Sequence, residues 1–397
     1  VINEKGGKLI YRQGHAVTEI LDIASQTNAE ALYCNRLYEP KLAERDARLQ
    51  IALQRDGVRC HFYNGSLLFE PDVLKTNSGG PFKVFTPYWK KHQQLYQLSP
   101  PLVAPRRLAK TAAPLVGLVL EQLHLMPAVS WYQGIQQSWQ PGETHALKAL
   151  EHFAQSGVVN GYKTRRDYPA APSTSRLSPY LRFGEISPRQ ILWRFAQLQA
   201  SEPQCDLSSI ETFNKELVWR EFACNILYHF PQTTDAPLDQ RFKNFPYVKN
   251  SKRLFEAWAQ GRTGYPLVDA GMRELWHTGW MHNRVRMIVA SFLTKNCLVS
   301  WKKGAAWFWD TLVDADLANN SFNWQWCAGC GADAAPYFRI FNPVTQSKKF
   351  DTHGHYVKKW LPELRALPEP YIHEPWKAPL EIQNQCGVTI GRHYPLP

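Results

Sequence analysis

The sequence lacks three features that would each point to a particular class of protein. It has no apolar run near the roughly 20 residues that a membrane helix needs. No secretory signal is visible, and the eight cysteines show no framework spacing, which is typical of a reducing compartment. Internal repeats and low-complexity tracts are also missing. We therefore expect a cytoplasmic monomer that does not associate with membranes.

A metal site is not predicted either. The one close pair of cysteines is Cys327-Ala328-Gly329-Cys330, and zinc would need two further ligands at a suitable spacing. The sequence supplies no second pair. We interpret this CxxC as tight packing, with a redox disulfide as the weaker alternative.

Positive charge and tryptophan, in contrast, are abundant. Lys and Arg outnumber Asp and Glu by 46 to 34, which gives a formal net charge of +12. This balance suits a polyanion such as nucleic acid, although a soluble basic surface explains it equally well. Fifteen tryptophans fit stacking on flat ligands better than ordinary packing.

Residues 1–98 are predicted to form an α/β domain with a parallel, Rossmann-like sheet. Short apolar runs alternate there with helical patterns, and such alternation favours parallel strands. The predicted strands are Gly7–Tyr11, Ala31–Cys34 and Val58–Tyr63, and the predicted helices are Val17–Ser25 and Pro40–Arg55. The chain starts at Val1, without Met and within this unit, so we expect a truncated domain.

The rest of the chain is predicted to be a linker followed by an all-α domain. Residues 99–140 are rich in proline and show one helical piece near Leu115–Leu125. From 141 to 397 helical periodicity dominates. The clearest predicted helices are Thr144–Phe153, one that begins at Ser187-Pro188, Glu211–Tyr228, Pro266–Trp276 and His282–Lys295.

A turn rich in hydroxyl groups is the first candidate binding motif. Thr174, Ser175 and Ser178 surround Arg176 just before a predicted helix. Hydroxyls, backbone N–H groups and a guanidinium together bind phosphate well. An ordinary capped turn has the same appearance.

Two close carboxylates form the second motif. Asp314 and Asp316 flank Ala315, with Asn320 shortly after them. Such carboxylates repel each other unless a cation or donors separate them, and Arg286 is a plausible partner. A solvated acidic loop is an equal alternative from the sequence.

The third motif lies on a predicted helix. Glu216, Trp219 and Arg220 stand at i, i+3 and i+4, which places them on one face. An indole can stack on a base while a carboxylate accepts a hydrogen bond from its edge. We interpret this face as a recognition surface, although an ordinary helix face is the alternative.

The segment Trp258–Pro343 and the turn TSRLS resemble the flavin-binding half of the photolyase/cryptochrome family. The resemblance is carried by GRTGYPLVDAGMREL, GWMHNRVRM, DADLANN and NWQWCAGCGADAAPYFRIFNP, and is closest to class I cyclobutane pyrimidine dimer photolyases. It implies an antenna domain, a helical FAD-binding domain and light-driven repair of pyrimidine dimers in DNA, a carbon–carbon lyase activity. A cryptochrome-type blue-light receptor is the alternative.

The resemblance also assigns residues to the cofactors. Asn320 matches the residue that faces flavin N5, where asparagine is the choice of photolyases. An antenna, folate or deazaflavin, is expected as a second chromophore, but the family's folate contacts near Asn77–Gly80 are not clearly matched. The implied FAD contacts are Tyr162, Thr174, Ser175, Arg176, Leu177, Ser178, Phe213, Asn283, Arg286, Asp314, Ala315, Asp316 and Asn320.

A further set is implied for damaged DNA. Glu216 would hydrogen-bond the dimer, while Trp219 and Trp326 would stack on it after extrusion from the duplex. Base flipping by photolyases is a general property of these enzymes. The implied contacts are Arg166, Glu216, Trp219, Arg220, Asn283, Arg284, Met287, Trp326, Arg339 and Gln346.

One departure from the family concerns its chain of three tryptophans that reduces the flavin. Trp324 and Trp301 match the first two members. The third would fall near Phe245-Pro246, where Tyr247 and Val248 stand instead. We predict Tyr247 as the terminal member, with loss of its phenolic proton. The alternatives are a chain that ends at Trp301 or one that passes through Trp307.

Overall fold

The computed structural model describes residues 2–109, 115–155, 157–336 and 339–397. An α/β unit comes first and helices make up the remainder, as predicted. The elements of the first part are helix α1 (Ala16–Thr27), strand β1 (Ala31–Asn35), helix α2 (Pro40–Arg55), strand β2 (Arg59–Tyr63) and helix α3 (Phe85–Leu95).

Strands β1 and β2 pair in parallel, with Ala31 opposite Arg59. A parallel pair needs a crossover connection, and α2 provides it. Leu49 and Leu53 of α2 are buried together with Val58, and they pack against Leu32 of β1. This apolar layer explains why α2 begins and ends where its sequence pattern predicts.

Two predictions about the first 125 residues were wrong. Gly7–Tyr11 does not form a strand, because Tyr11 makes only an isolated antiparallel bridge to Leu118. The helical piece near Leu115–Leu125 is reduced to one 3-10 turn at Leu120–Leu123. Its apolar side chains at Val116, Leu120 and Leu125 are exposed, so no packed face supports a longer helix.

The helical part follows from residue 133. Its helices are α4 (Gln133–Ser138), α5 (Glu143–Gln155), α6 (Tyr162–Arg165), α7 (Ser178–Arg182), α8 (Pro188–Ser201), α9 (Leu207–His229), α10 (Lys252–Ala259), α11 (Pro266–Thr278), α12 (Asn283–Ser291), α13 (Trp301–Thr311), α14 (Leu317–Ala328), α15 (Pro343–Phe350), α16 (His355–Trp360), α17 (Glu369–Ile372) and α18 (Leu380–Gln385). In the described part of the chain, no helix has the length and apolarity to cross a membrane.

Local capping sets several of these boundaries. Ser187 caps α8, because its hydroxyl accepts from the Gln190 N–H at 3.2 Å while Gln190 Oε1 accepts from the Ser187 N–H. Asp206 caps α9, which therefore begins at Leu207 rather than at the predicted Glu211. The predicted helix through Lys295 ends at Ser291 and continues as a π-helix over Phe292–Asn296. Such π segments are frequent near functional sites.

Glu221 of α9 joins the two parts of the molecule. Its carboxylate is buried and accepts hydrogen bonds from the backbone N–H groups of Leu68 at 2.5 Å and Phe69 at 3.2 Å. Tyr88 of α3 donates to it at 3.4 Å, and His92 lies 3.7 Å away. Burial raises the pKa of Glu221 to about 7 and lowers the pKa of His92 to about 4. This buried carboxyl group is thus one of the contacts that hold the α/β unit to α9.

Replacing Glu221 with glutamine should change how stability depends on pH. The unfolded chain releases this proton near a pKa of 4.5, whereas the folded protein keeps it up to about 7. Its stabilising contribution is therefore complete below 4.5 and lost as the pH rises through 7. Glutamine has no proton to release, so the variant should not lose this stability as the pH rises. The free energy of unfolding in urea, compared at about pH 5 and pH 8, measures it.

Glu211→Gln is the matched control, because Glu211 is exposed on the same helix. Glu221→Ala should lower the free energy of unfolding by about 2–5 kcal/mol, since two backbone N–H groups lose their acceptor. If the free energy of unfolding depended on pH in the same way in wild type and in Glu221→Gln, the raised pKa of Glu221 would be contradicted.

Candidate functional site

A cavity of about 480 Å³ opens between α7, α9, α12, α13 and α14. This volume falls within the range of about 300–1,000 Å³ that is common for cofactor and ligand sites. All of the residues that the sequence assigned to the flavin line it, from Tyr162 to Asn320. Glu216, Trp219, Met287 and Trp326, assigned to the substrate, line the same cavity. Helices far apart in the sequence thus bring both sets to one place.

The ion pair suggested for Asp314 is confirmed. Arg286 Nη2 donates to both carboxylate oxygens of Asp314, at 2.8 and 3.1 Å, and its Nε donates to the Met281 carbonyl. The Asp314 side chain is almost fully buried, so this pair fixes the floor of the cavity. Removing one partner of a buried pair leaves an uncompensated charge, which makes the pair structurally important.

Asp316 and Asn320 are held by α14. Asp316 caps this helix, accepting from the Asn319 N–H at 2.8 Å. Asn320 donates its amide to the Ala305 carbonyl at 2.8 Å. Asn320 is therefore fixed in orientation beside the cavity, and its amide group is bonded on one side to α13.

The turn with the three hydroxyls also lines the cavity. Arg176 has a left-handed backbone, with φ of 53°. Ser178 accepts from the indole N–H of Trp280 at 3.3 Å, and Ser175 accepts from the Leu177 N–H at 3.4 Å. A non-glycine residue in this conformation costs about 1 kcal/mol or more and is common at binding sites.

Glu216 and Arg166 form an ion pair at the cavity wall. The sequence assigned the carboxylate to the lesion and the guanidinium to a phosphate, without connecting the two. The glutamate side chain is about one third exposed, so it stays accessible from the cavity. The charge of Glu216 and the hydrogen bond to it outweigh the effect of burial and raise the pKa of Arg166.

Trp219 and Arg220 divide their contacts between the cavity and the α/β unit. One face of the Trp219 indole stacks on Phe85 of α3, with ring centroids 3.6 Å apart. Arg220 lines the cavity, but its guanidinium donates to the carbonyl oxygens of Ser66 at 2.7 Å and Leu181 at 3.5 Å. The helix face read as a recognition surface therefore also holds the two parts of the molecule together.

Three of the residues assigned to DNA lie outside the cavity. Arg284 pairs with Asp167 at 2.6 Å and lies over the Phe350 ring. Arg339 is exposed and Gln346 is half-buried on α15. Within the cavity, Asn283 donates weakly to Met287 Sδ at 3.9 Å, and Trp326 is partly buried.

The two matched tryptophans, Trp324 and Trp301, are both buried. Trp324 lies edge-on to Phe308, with centroids 5.0 Å apart, and Gly304 of α13 leaves the space for its ring. Trp301 begins α13 and is also buried. Tyr247 is half-buried, with its ring 4.8 Å from Phe245, and burial raises its pKa. Only Trp324 of these lines the cavity itself.

Several residues of the site were missed from the sequence. Trp280, Phe308 and Asn323 all line the cavity. Trp280 stands inside the segment GWMHNRVRM, so its position in that motif was the available signal. Asn323 stands one helical turn after Asn319, on the face of α14 that borders the cavity.

The CxxC segment contains two free, buried thiols. Burial raises the pKa of both Cys327 and Cys330 to about 12. Their thiols therefore stay protonated, which disfavours redox chemistry. Within the described ranges, no group of three or more His, Cys, Asp or Glu could hold a metal ion.

Comparison with known proteins gives a consistent result. The model described as FAD binding domain of DNA photolyase matches residues 213–397, and the one described as DNA photolyase matches residues 2–106. The deoxyribodipyrimidine photo-lyase of Agrobacterium fabrum is 44% identical over 400 residues, which cover 100% of this chain and 82% of the relative.

Solved structures agree with this result. A bacterial class III photolyase from Agrobacterium tumefaciens superposes with a TM-score of 0.95 at 43% identity, covering 100% of this chain and 81% of the other. A cryptochrome of Synechocystis sp. PCC6803 superposes with a TM-score of 0.90 at 33% identity, covering 100% and 82%. The fold and the cavity define a flavoprotein with an FAD-binding helical domain. The chain belongs to the DNA photolyase/cryptochrome family.

Proposed function

We propose that this protein repairs cyclobutane pyrimidine dimers in DNA by light-driven electron transfer from reduced FAD. The observation that carries the proposal is the arrangement of the cavity. Glu216, Trp219 and Trp326 border the same space as the Asp314–Arg286 pair and the turn around Arg176. A flavin held by the second set would lie against a pyrimidine pair held by the first. The similar structures include a bacterial class III photolyase.

The residues of the cavity fit FAD on chemical grounds. Hydroxyl and guanidinium donors of the Thr174–Ser178 turn suit a diphosphate. Asp314 and Asp316 offer acceptors for hydroxyl groups, and Asn320 offers an amide beside the ring system. Reduced FAD supplies the excited-state electron that opens the cyclobutane ring; the protein supplies position and electrostatics.

The chain contributes recognition and charge stabilisation. Glu216 would accept a hydrogen bond from the pyrimidine edge and orient it, while Arg166 fixes the carboxylate. Trp326 would stack on the extruded bases from the other side. Arg339 and the other basic residues outside the cavity would position the phosphate backbone.

A second chromophore is also proposed. A cavity of about 760 Å³ lies between residues 76–84 and α3, and Lys83, Lys90 and Lys91 line it together with Asn77 and Ser78. Its lysines would suit the anionic glutamate carboxylates of a folate, even though the family's folate contacts near Asn77–Gly80 are not clearly matched there. The absorption spectrum of the purified protein after removal of FAD distinguishes the two chromophores.

The proposal is tested by illuminating the FAD-loaded protein with a dimer-containing oligonucleotide and keeping a dark sample as control. Restoration of intact pyrimidines only in blue light supports repair. Photoreduction of the flavin without any repair would support the alternative, a blue-light receptor, which the similarity to the Synechocystis cryptochrome favours.

Two substitutions should separate lesion contacts from phosphate contacts. Trp326→Ala should weaken binding to damaged DNA by about 1–3 kcal/mol and leave undamaged DNA unaffected, because stacking acts only on extruded bases. Arg339→Ala should weaken both alike and reduce the slope of affinity against salt by about 1. A salt titration on both DNAs measures this. Identical behaviour of the two variants would contradict the assignment.

Arg166→Ala is a less direct test of phosphate binding. Its guanidinium is paired with Glu216, so its removal also frees the carboxylate in the cavity. We expect this variant to lose affinity for both DNAs and, in addition, to repair less per photon. A pure loss of affinity would show that the ion pair has no part in orienting Glu216.

A further inference from the structure

Arg176 is a cation in the wall of the cavity, and the buried carboxyl group of Glu274 acts on it electrostatically without forming an ion pair. Among the described residues, its guanidinium has no ion-pair or hydrogen-bond partner. Its backbone is left-handed, with φ of 53°. An arginine side chain loses rotamer freedom when it is held in one orientation, so neighbouring groups must fix it.

Two indole rings provide that fixation. The guanidinium carbon lies 4.5 Å from the ring centre of Trp139 and 4.8 Å from that of Trp280. The two indoles meet edge to face, with centroids 6.5 Å apart. The distances from the guanidinium carbon to the two indole rings fall within the limit of about 6 Å for a cation–π contact. Trp280 lies within residues 213–397, which match the FAD-binding family, whereas Trp139 lies outside them.

Trp139 is itself fixed to the helical domain. Its indole N–H donates to the Thr278 carbonyl at the end of α11, at 2.7 Å. Nearby, Gly134 of α4 packs so closely on the His277 carbonyl that a Cβ atom there would clash. The last residues of the segment predicted as a linker are thus docked against α11.

We propose that Trp139 is a positioning residue for the cofactor, holding Arg176 by a cation–π contact so that its guanidinium is ready to bind the FAD diphosphate. The inference rests on the proposed cofactor site and adds a residue from outside it. Preorganisation of this kind lowers the entropy that a ligand must overcome when it orders a side chain. Bound FAD would displace water from around the arginine and strengthen both cation–π contacts.

The test is a double-mutant cycle on FAD affinity, measured by flavin fluorescence on reconstitution of the apoprotein. Trp139→Leu should raise the Kd about tenfold, which corresponds to about 1.4 kcal/mol. Trp139→Phe keeps an aromatic face and should recover most of this loss. Arg176→Gln should raise the Kd at least as much. In the Arg176→Gln background, Trp139→Leu should change the Kd less than about twofold, because its target is gone.

Trp131→Leu is the matched control. It also removes an indole from this segment, but the Trp131 ring contacts Trp276 and Tyr132 and not Arg176. Its Kd should equal that of the wild type. Effects of Trp139→Leu and Arg176→Gln that multiply would overturn the proposal, as would an unchanged Kd in Trp139→Leu. If Trp139→Leu does not fold, Trp139→Met, which keeps much of the volume without an aromatic face, takes its place in the cycle with Arg176→Gln.

A failure of the proposed role of Trp139 and a failure of the proposed FAD site give different experimental results. A wild-type protein that binds no FAD would refute the proposed cofactor site. Tight FAD binding that is insensitive to position 139 would refute only the role of Trp139.

Discussion

Replacing Glu216 with alanine should lower dimer repair per absorbed photon about tenfold or more, with normal FAD content. A hydrogen bond to a charged group contributes about 1.5–3 kcal/mol, and each 1.4 kcal/mol is a factor of ten. Glu216 lines the same cavity as the residues assigned to the flavin and is held there by Arg166. Its loss removes the acceptor that orients the pyrimidine and leaves an unpaired guanidinium beside it. The quantum yield of repair, measured with pre-reduced flavin, reports this directly.

Glu211→Ala is the control for this result, because Glu211 is exposed on the same helix and pairs with Lys215. Glu216→Gln adds a second comparison. Glutamine keeps hydrogen-bonding groups but loses the charge, so an intermediate yield would indicate that both matter. A quantum yield equal to that of the wild type in Glu216→Ala would refute the role.

Replacing Tyr247 with phenylalanine should abolish a long-lived tyrosyl radical during photoreduction of the oxidised flavin. Tyr247 is half-buried and packs beside Phe245, so its phenolic proton can pass to water after oxidation. Because burial raises the pKa of the phenol, the tyrosine is protonated before the electron leaves. Transient absorption of wild type and Tyr247→Phe with an external reductant measures the radical. Repair with pre-reduced flavin should stay unchanged.

The structure also provides a specific competitor for Tyr247. Trp307 stacks on Trp276, with centroids 6.1 Å apart, and Trp276 stacks on Trp131 at 6.3 Å. Trp276 and Trp131 are more than half exposed, so this row leads to the surface. Phe255 links Trp307 to the buried Trp258, which contacts Trp324 edge-on.

Trp307→Phe therefore belongs in the same experiment. If Tyr247 ends the chain, Trp307→Phe should keep the tyrosyl signal and the wild-type rate of photoreduction. A tryptophan signal that persists in Tyr247→Phe and disappears in Trp307→Phe would assign the route to the tryptophan row instead.

Much of the fold could be read from local sequence. The helix α2 matches its predicted bounds, and Ser187-Pro188 begins α8 as the capping pattern indicates. These features depend on residues within a few positions of one another. Gly7–Tyr11 failed as a strand because a strand needs a partner, and the apolar pattern alone does not say whether one is present.

The sequence by itself determined many of the residues that surround the cavity. The turn with three hydroxyls, the Asp-Ala-Asp run and the motif NWQW each carry their chemistry in a few consecutive residues, and they converge as expected. Their composition is costly in an ordinary core, since buried polar groups need partners. That cost is why the pattern indicates a ligand site.

Only the tertiary structure decided which partners Arg166, Arg220 and Trp139 have. Arg166 pairs with Glu216, Arg220 bonds the Ser66 carbonyl, and Trp139 lies over Arg176. The members of these pairs are separated by 50, 154 and 37 positions, from 166 to 216, 66 to 220 and 139 to 176. Hydrogen bonds and cation–π contacts act over a few ångströms, so they depend on how helices pack and not on spacing along the chain.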